Sequence, residues 1–354
     1  MRIIVTGGAG FVGSNLAGAF RQQGHEVISF DNLRRRGSEL SVSRLKALGV
    51  DFVHGDVRNR EDLESVGPFD TLIECSAEPS AQAGYDGHPG YLINTNLVGT
   101  INCLEQARRY RATVIFLSTS RVYPISPLCA LPTEVRDKRF SLLPGASGPG
   151  WSSDGIATDF PLEGPRTLYG ASKLSAELLL LEYCDAYDLK AIVNRCGVIT
   201  GPWQMGKVDQ GFVVLWAARH CFGGPLSYIG FGGRGHQVRD ILHVSDLFDL
   251  LAIQIEAPAS HTGRVYNVGG GPGVSVSLAE LTDLCRTHSG NNIDISMNPE
   301  TRRGDIPFYV TDNSKVNAAT GWSPQRTVSD ILDDIFLWLT SNRTSLEPIL
   351  GPQD

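Results

Sequence analysis

A tyrosine and a lysine four residues apart form a pair that could take a proton from a hydroxyl group. Tyr169 and Lys173 stand at the start of a predicted helix, and this spacing puts both side chains on one helix face. The Lys173 ammonium group, together with the positive charge of an oxidised hydride acceptor, would lower the pKa of the Tyr169 phenol. Thr119 follows a predicted strand, Thr113–Leu117, and could hydrogen-bond the reacting oxygen. Thr119, Tyr169 and Lys173 therefore predict a catalytic group that takes a hydroxyl proton while hydride leaves the same carbon.

Three glycines near the start of the chain indicate what accepts that hydride. A strand at Ile3–Thr6 runs into Gly7, Gly10 and Gly13, within a predicted turn and helix, Phe11–Gln23. Gly7 permits the tight turn, Gly10 lets the backbone approach a pyrophosphate, and Gly13 lets helix and strand pack closely. The helix N-terminus adds free N–H groups for phosphates. Glycines spaced in this way between a strand and a helix predict a dinucleotide cofactor.

The residue that ends the second strand indicates which dinucleotide binds. Asp31 lies about twenty residues past the glycines, where a carboxylate accepts hydrogen bonds from ribose hydroxyls and repels a 2′-phosphate, so NAD is favoured over NADP. The arginine run 34–36 could hold such a phosphate. We interpret it instead as a solvated turn or as part of the substrate-phosphate environment. Asp56 and Val57 end the next strand and suit an adenine contact, the alternative being a strand-to-helix cap.

The overall composition argues against two classes of partner. The 354-residue chain is 42% hydrophobic and carries a formal net charge of −7, so it lacks the basic face that nonspecific nucleic-acid binding requires. No apolar stretch approaches a membrane span and no signal peptide is recognised, so we expect no membrane partner and a cytoplasmic protein. The seven cysteines are scattered and none has zinc-ligand spacing, which predicts reduced thiols and no metal site.

Apolar strands alternate with helical stretches in the first half of the chain. This pattern predicts an α/β fold with a doubly wound parallel sheet of the Rossmann type. We expect residues 1–196, with a returning segment at about 240–268, to form the NAD-binding domain, and 197–239 with 269–354 to form a smaller C-terminal α/β lobe that binds substrate. Residues 124–165 are rich in Pro, Gly, Ser and Asp. We interpret them as a substrate-covering loop, the alternative being a tolerated surface insertion.

Over nearly its whole length the chain resembles the extended short-chain dehydrogenase/reductases, the NAD-dependent epimerase/dehydratase family. The resemblance implies that Thr119 is the family's catalytic Ser/Thr and that Asn96 lies near the active site. Gln237-Val238-Arg239-Asp240 resembles the segment whose arginine binds the nucleotide pyrophosphate. Arg302-Arg303-Gly304-Asp305 resembles the C-terminal phosphate-binding motif. Either arginine alone could be a surface salt bridge, but two at family spacing favour a diphosphate clamp.

The motifs and the resemblance together define the expected site and partners. The cofactor-binding residues are Gly7, Gly10, Phe11, Val12, Asp31, Asn32, Asp56, Val57, Ala77, Asn96, Ser118, Tyr169 and Lys173. The substrate-binding residues are Thr119, Gln210, Arg239, Arg302 and Asp305. The expected partner is a nucleotide-diphosphate sugar, with CDP favoured. We also expect a homodimer through the predicted helices Asn94–Tyr110 and Ser172–Tyr187, although their apolar faces equally suit a buried core.

The residues around Thr119 narrow the reaction that the resemblance implies. Sugar-nucleotide 4,6-dehydratases of the family place an Asp-Glu pair directly after the catalytic threonine, where this chain has Ser120-Arg121. The glutamate of decarboxylating relatives and the cysteine of double-epimerising relatives are also missing there. What remains is an epimerisation, in which tightly bound NAD oxidises and then re-reduces one sugar carbon.

A narrower resemblance indicates which sugar carbon is epimerised. Val208–Phe212, Gly235–His243 and the long segment before Tyr169 look like the CDP-paratose (CDP-tyvelose) 2-epimerases, which implies C2 of a CDP-sugar. The alternatives are a 4-epimerase for UDP-sugars, a net NAD-dependent sugar-nucleotide oxidoreductase, and a catalytically silent NAD-binding regulator. Glu74 departs from the family's usual His-Leu-Ala pattern and is either a buried structural residue or an active-site carboxylate.

Overall fold

The computed structural model describes residues 1–85 and 87–352. Its strands are β1 (Arg2–Thr6), β2 (Glu26–Asp31), β3 (Asp51–His54), β4 (Thr71–Glu74), β5 (Thr113–Thr119), β6 (Thr133–Arg136), β7 (Arg139–Leu142), β8 (Trp151–Ser152), β9 (Gly155–Ile156), β10 (Ala191–Cys196), β11 (Val198–Thr200), β12 (Leu226–Ile229), β13 (Val238–His243), β14 (Arg264–Val268), β15 (Ser275–Ser277), β16 (Ile295–Asn298) and β17 (Phe308–Tyr309). Its α-helices are α1 (Phe11–Gln22), α2 (Ser38–Ala47), α3 (Arg60–Glu64), α4 (Gly90–Ile93), α5 (Gly99–Tyr110), α6 (Ile125–Cys129), α7 (Leu168–Tyr187), α8 (Phe212–Phe222), α9 (Val244–Glu256), α10 (Pro258–His261), α11 (Leu278–Ser289), α12 (Ser314–Thr320), α13 (Val328–Ser341) and α14 (Arg343–Leu350).

The central sheet has seven strands in the order β14-β10-β5-β4-β1-β2-β3, and every neighbouring pair is parallel. Its inner strands are short apolar runs with helices on both faces, as in β1, where Ile3, Ile4 and Val5 are fully buried. The predicted Rossmann-type α/β fold is therefore confirmed. The chain order reverses between β1 and β4, and the carboxyl ends of strands at such a switch point border a ligand crevice.

A second, smaller sheet lies in the C-terminal half of the chain. Strand β13 pairs with β11, β15 and β17, and helices α8, α11 and α13 pack together around an apolar cluster that includes Trp216, Leu281 and Ile335. Of the segment expected to return to the central sheet, β14 forms an edge strand of that sheet. Ile241 instead belongs to β13 of the second sheet, and α9 packs against α1.

Residues 124–165 are not the irregular loop that their composition suggested. They contain α6 and two small hairpins, β6–β7 and β8–β9. Leu128, Ile156 and Phe160 are buried in one apolar cluster with Tyr309. These elements were not recognised because strands of two to four residues carry too little periodicity. That the segment covers the substrate stays a prediction.

The two helices predicted at Asn94–Tyr110 and Ser172–Tyr187 differ from their predicted bounds. The stretch predicted as one helix, Asn94–Tyr110, contains a π-helical turn at Asn94–Val98 between α4 and α5. Such turns occur frequently at functional sites. Helix α7 begins at Leu168, where the Thr167 side chain accepts a hydrogen bond from the backbone N–H of Gly170 (3.1 Å). None of the helices in residues 1–85 and 87–352 is long and apolar enough to cross a membrane.

Candidate active site

Two adjoining cavities lie at the carboxyl ends of the central strands. The first, here called the glycine-turn cavity, has a volume of about 500 Å³ and is bordered by Gly7, Gly10 and Asp31. The second, here called the tyrosine cavity, has a volume of about 340 Å³ and is bordered by Thr119 and Tyr169. They share the wall residues Phe11, Val12, Cys75, Ala77, Pro79, Gln204, Asp209 and Gln210. Ligands in the two cavities would therefore meet at this shared wall.

The glycine-turn cavity is shaped for the backbone to approach a ligand closely. Gly7 has a φ of +64°, and a Cβ there would lie 2.8 Å from the carbonyl oxygen of Cys75. A Cβ on Gly13 would lie 2.2 Å from the carbonyl oxygen of Gly7, so only glycine lets α1 start against this turn. The resulting helix N-terminus faces the cavity with free N–H groups, which favour an anion.

Replacing Gly13 by alanine is expected to empty the cofactor site. The added methyl group has no space against the Gly7 carbonyl oxygen, so the turn must move, at a typical cost of about 1–3 kcal/mol for overpacking. Gly18→Ala on the same helix is the matched control, because its Cβ would meet only the tip of the Leu48 side chain (3.0 Å). NAD released on denaturation and the melting temperature measure both variants. Wild-type NAD content in Gly13→Ala would contradict the role of this turn.

Asp31 lies at the floor of the same cavity and is oriented by the turn. Its carboxylate accepts hydrogen bonds from the backbone N–H groups of Ala9 (3.1 Å) and Leu33 (2.7 Å). Burial raises the pKa of this carboxyl, while the backbone N–H groups of Leu33, Ala9 and Gly10 oppose that effect. The oriented carboxylate, the glycine turn and the free helix N-terminus fit the ribose and pyrophosphate of a dinucleotide.

Tyr169 and Thr119 meet at one end of the tyrosine cavity. Thr119 ends β5, and the first turn of α7 packs against the following turn so tightly that a Cβ on Gly170 would lie 2.0 Å from the Arg121 carbonyl oxygen. This packing brings the Thr119 side chain close enough to Tyr169 to act on the pKa of its phenol. Burial raises the pKa of Tyr169 to about 12, opposed by Thr119 and the Arg121 guanidinium. The lowered pKa predicted for Tyr169 therefore depends on the positive charge of the bound, oxidised cofactor as well as on Lys173.

Lys173 lies beneath the cavity rather than on its wall. Its side chain is only 1% exposed, and its Nζ lies 3.8 Å from the centroid of the Phe116 ring. Asn96, in the π-helical turn, donates to the carbonyl oxygen of Glu78 (3.1 Å) and to the Ser172 hydroxyl (3.1 Å), and it accepts from the Glu78 N–H (2.8 Å). Asn96 thus fastens the turn that carries Ala77 to the helix that carries the tyrosine and the lysine.

Three arginines make another part of the tyrosine cavity positive. Arg121, Arg239 and Arg302 all border it, together with Asp305, which pairs with Arg302 (3.2 Å). Arg121 donates to the carbonyl oxygen of Gly304 (2.9 Å), and burial lowers the pKa of Arg239 to about 9, with Arg121 adding to the effect. Three cations facing one carboxylate leave a net positive wall, which suits a diphosphate.

Gln237 stands two residues from Arg239, beside an apolar part of the same cavity. Ile229, Phe231, Trp216 and Leu278 form that part. The Gln237 side-chain amide donates from Nε2 to the Ile229 carbonyl oxygen (3.0 Å), which fixes which end of the amide is which. Its Oε1 is buried and has no hydrogen-bond partner among the described residues. Gln237 thus borders the cavity with an oriented, unpaired acceptor buried beside this apolar surface.

The expected site residues fall into two groups by position. Those that border one or both cavities are Gly7, Gly10, Phe11, Val12, Asp31, Asn32, Val57, Ala77, Ser118, Thr119, Tyr169, Gln210, Arg239, Arg302 and Asp305. Asp56, Asn96 and Lys173 do not border either cavity. Asp56 is instead engaged by Arg58 (2.6 Å) and by Asn32 (2.9 Å), and the Arg58 hydrogen bond lowers its pKa to about 2.

Sequence reasoning missed three polar residues near these cavities. Arg121 was read only as the absence of a carboxylate, and Gln237 only as part of a motif. Their places depend on contacts with distant residues, although Gln237 directly precedes β13 and is two residues from Arg239. Glu177 was not considered: it lies one turn after Lys173, is 1% exposed, and pairs with Arg195 (2.8 Å). Among the described residues no group of acidic, histidine or cysteine side chains could hold a metal ion.

The chain is similar in sequence and in structure to several known proteins. The family model described as "NAD dependent epimerase/dehydratase family" matches residues 3–269. The CDP-paratose 2-epimerase of Salmonella typhi is 30% identical over 350 residues, which are 96% of this chain and 100% of that protein. The UDP-glucose 4-epimerase of Thermus thermophilus, solved with NAD, has a TM-score of 0.76 at 26% identity and covers 96% of this chain and 99% of its own. The dTDP-glucose 4,6-dehydratase of Streptomyces venezuelae, also solved with NAD, has a TM-score of 0.79 at 26% identity and covers 99% of this chain and 100% of its own.

Proposed function

We propose that this chain, which belongs to the NAD dependent epimerase/dehydratase family, epimerises a nucleotide-diphosphate sugar at one carbon, C2 of a CDP-sugar. The prediction of an NAD-dependent sugar-nucleotide enzyme is confirmed, and NAD is its cofactor. Its relatives include 2-epimerases, 4-epimerases and 4,6-dehydratases. The choice among these reactions therefore depends on the tyrosine cavity itself.

We assign the reaction to the residues that meet in that cavity. Tyr169 takes the proton from the reacting hydroxyl and later returns it to the ketone oxygen, while Thr119 hydrogen-bonds that oxygen. Arg239 and Arg302 hold the diphosphate, so the sugar stays bound while the ketone turns over. Bound NAD supplies the hydride acceptor and donor for the two halves of the reaction.

The absence of a free carboxyl group beside Thr119 supports epimerisation over dehydration. Ser120 and Arg121 follow the threonine, and the only acidic residues among the described lining of the tyrosine cavity are Asp209 and Asp305. Asp209 accepts a hydrogen bond from the Ser80 hydroxyl (2.6 Å), and Asp305 pairs with Arg302. Loss of water from a keto sugar requires an acid and a base near the ketone. With both carboxylates engaged elsewhere, simple return of the hydride is the reaction this cavity favours.

The oriented amide of Gln237 supports CDP as the nucleotide. Its free Oε1 can accept a hydrogen bond from the exocyclic amino group of cytosine. Uracil carries a carbonyl oxygen at that position, and an acceptor facing an acceptor leaves both unpaired. A buried polar atom left unpaired costs about 1–3 kcal/mol, so this acceptor discriminates between the two bases. The similarity to a CDP-paratose 2-epimerase points the same way.

Replacing Gln237 by leucine is expected to weaken the preference for cytosine. The ratio of kcat/KM for a CDP-sugar to that for the matching UDP-sugar should fall by about 2- to 10-fold, the value of one net hydrogen bond. An unchanged ratio in Gln237→Leu would show that the base is read elsewhere.

The proposed function is tested by incubating the purified protein with CDP-, UDP-, GDP- and dTDP-sugars without added NAD. Proton NMR of each product reports which carbon is inverted. Inversion at C2 of a CDP-sugar is the expected result. Inversion at C4 of a UDP-sugar would support epimerisation by hydride transfer but would mean that the substrate is a UDP-sugar and the reacting carbon is C4. No inversion even with NAD added, but stoichiometric consumption of NAD, would replace the epimerase by a net oxidoreductase.

A further inference from the structure

Glu74 is a buried carboxyl group at the carboxyl end of β4, directly behind the catalytic crevice. Its side chain is 1% exposed. The Thr100 hydroxyl donates to Oε1 at 2.5 Å, whereas Oε2 is buried and has no hydrogen-bond partner among the described residues. A buried carboxyl group with an unsatisfied oxygen is costly unless a charge compensates it. Its neighbours should therefore include a cation.

The register of β4 with β5 indicates which cation lies near Glu74. Glu74 pairs with Phe116 of the neighbouring parallel strand β5, so the two side chains lie on the same face of the sheet. The ammonium nitrogen of Lys173 lies 3.8 Å from the centroid of the Phe116 ring. Helix α7, which carries Lys173, and helix α5, which carries Thr100, both pack on this face. Glu74 and Lys173 thus point into the same buried space above Phe116.

A second carboxylate near Lys173 is already neutralised. Glu177, one turn along α7, is bound by Arg195 at 2.8 and 3.0 Å and also accepts a hydrogen bond from the Ser118 hydroxyl. Its negative charge is therefore shared with an arginine. No arginine pairs with Glu74 in the described part of the chain. Glu74 is the carboxylate that remains for Lys173.

We propose that Glu74 is a positioning residue that acts through Lys173, holding its ammonium group charged and in place under Tyr169. This proposal rests on the proposed function for its catalytic meaning, but the location of the two groups in one buried space does not depend on it. Glu74 itself borders neither cavity, so it acts on the reaction only through the lysine.

The direction of the effect follows from the groups around Lys173. Burial lowers the pKa of Lys173, and Glu74 opposes this most strongly, followed by Glu177, Cys75 and Cys196. A lysine with a lowered pKa loses its proton as the pH rises through that value. Removing the Glu74 charge takes away the largest opposing influence, so Lys173 should lose its proton at a lower pH than in the wild type.

The pairing is tested on the whole holoenzyme by NMR of lysine labelled with carbon-13 at Cε. The chain has only six lysines, so Lys173→Arg suffices to assign the Lys173 signal. In Glu74→Gln, which keeps the shape and removes the charge, the Lys173 titration should move to lower pH by about one unit, a tenfold change in proton affinity. Glu74→Asp keeps the charge, so the Lys173 titration in this variant should stay close to that of the wild type. An unchanged Lys173 titration in Glu74→Gln would overturn the proposal.

Two further variants keep the test decisive. Glu64→Gln removes a surface carboxylate that pairs with Arg60 (3.0 Å) and should leave the Lys173 signal unmoved. If Glu74→Gln does not fold, Thr100→Val tests the same pairing. Losing the hydroxyl donor favours the neutral form of the Glu74 carboxyl group, so the Lys173 titration should move to lower pH, by less than in Glu74→Gln. No shift in a folded Thr100→Val would then overturn the proposal.

The pH dependence of turnover then separates this inference from the proposed function. The alkaline limb of the kcat profile should move to lower pH in Glu74→Gln in step with the Lys173 titration, while KM for the sugar nucleotide stays near the wild-type value. A general loss of kcat without movement of this limb would indicate a merely structural role. If the Lys173 titration shifts in Glu74→Gln but the wild type epimerises no sugar nucleotide, the pairing holds and the proposed function fails.

Discussion

Replacing Tyr169 by phenylalanine is expected to lower kcat by about 10²- to 10⁴-fold, the usual contribution of general acid–base catalysis. The phenol oxygen borders the tyrosine cavity beside Thr119, where it can reach the reacting hydroxyl. The substitution removes only this oxygen. The glycine turn and Asp31 remain intact in the adjoining cavity, so the protein should still be purified with NAD bound. Steady-state turnover and the NAD released on denaturation measure the two effects separately.

Tyr187→Phe is the matched control for this variant. Tyr187 lies at the other end of the same helix, is 53% exposed, and borders neither cavity. Its loss of a hydroxyl should leave both turnover and bound NAD unchanged. Turnover in Tyr169→Phe equal to that of Tyr187→Phe would reject the assignment of Tyr169 as the proton-transferring group.

Replacing Glu177 by glutamine is expected to lower the free energy of unfolding by about 3–5 kcal/mol, as when one partner of a buried ion pair is removed. Arg195 is 5% exposed and makes three hydrogen bonds to this carboxylate. Without it, a guanidinium charge stays buried between β10 and α7. Burial alone would lower the pKa of Arg195, and Glu177 is the largest influence that opposes it. Urea unfolding of the purified protein measures the change.

The surface variant Glu64→Gln is the comparison for this prediction. Glu64 pairs with Arg60 and Arg109 at partly exposed positions, and such pairs contribute about 0–1 kcal/mol. A loss below about 1 kcal/mol in Glu177→Gln would place its pair in the same class. It would mean that Arg195 finds water or another acceptor when the carboxylate is gone.

The parts of this site that could be predicted from the sequence are the local ones. The turn from β1 to α1 depends on Gly7, Gly10 and Gly13, which lie within seven residues of each other. The relation of Tyr169 to Lys173 depends on one helical turn. In both cases the chemistry follows from backbone geometry that neighbouring residues determine, so the pattern alone carried the prediction.

The parts that could not be predicted depend on contacts between distant segments. Arg121 reaches the cavity wall by bonding Gly304, which is 183 residues away. Gln237 presents a free acceptor only because the Ile229 carbonyl holds the other end of its amide. The Glu74–Lys173 juxtaposition depends on the register of β4 with β5. Periodicity and composition contain no information on such pairings.

Secondary structure was missed where elements are short or irregular. The hairpins within residues 124–165 pair only two to four residues on each strand. The π-helical turn around Asn96 keeps the apolar pattern of an ordinary helix, yet it directs the Asn96 amide toward Glu78 and Ser172. A one-residue change in helical pitch leaves no mark in the sequence, although it determines where a side chain points.

In the proposed reaction, hydride leaves one sugar carbon and returns to that same carbon within a single site. The most direct test uses a CDP-sugar that carries deuterium at C2, in ordinary water, with the purified protein and no added NAD. The epimerised product should retain deuterium at C2, because the label never exchanges with solvent. Replacement of the deuterium by solvent hydrogen would contradict hydride transfer, since it would mean that the carbon is inverted by deprotonation.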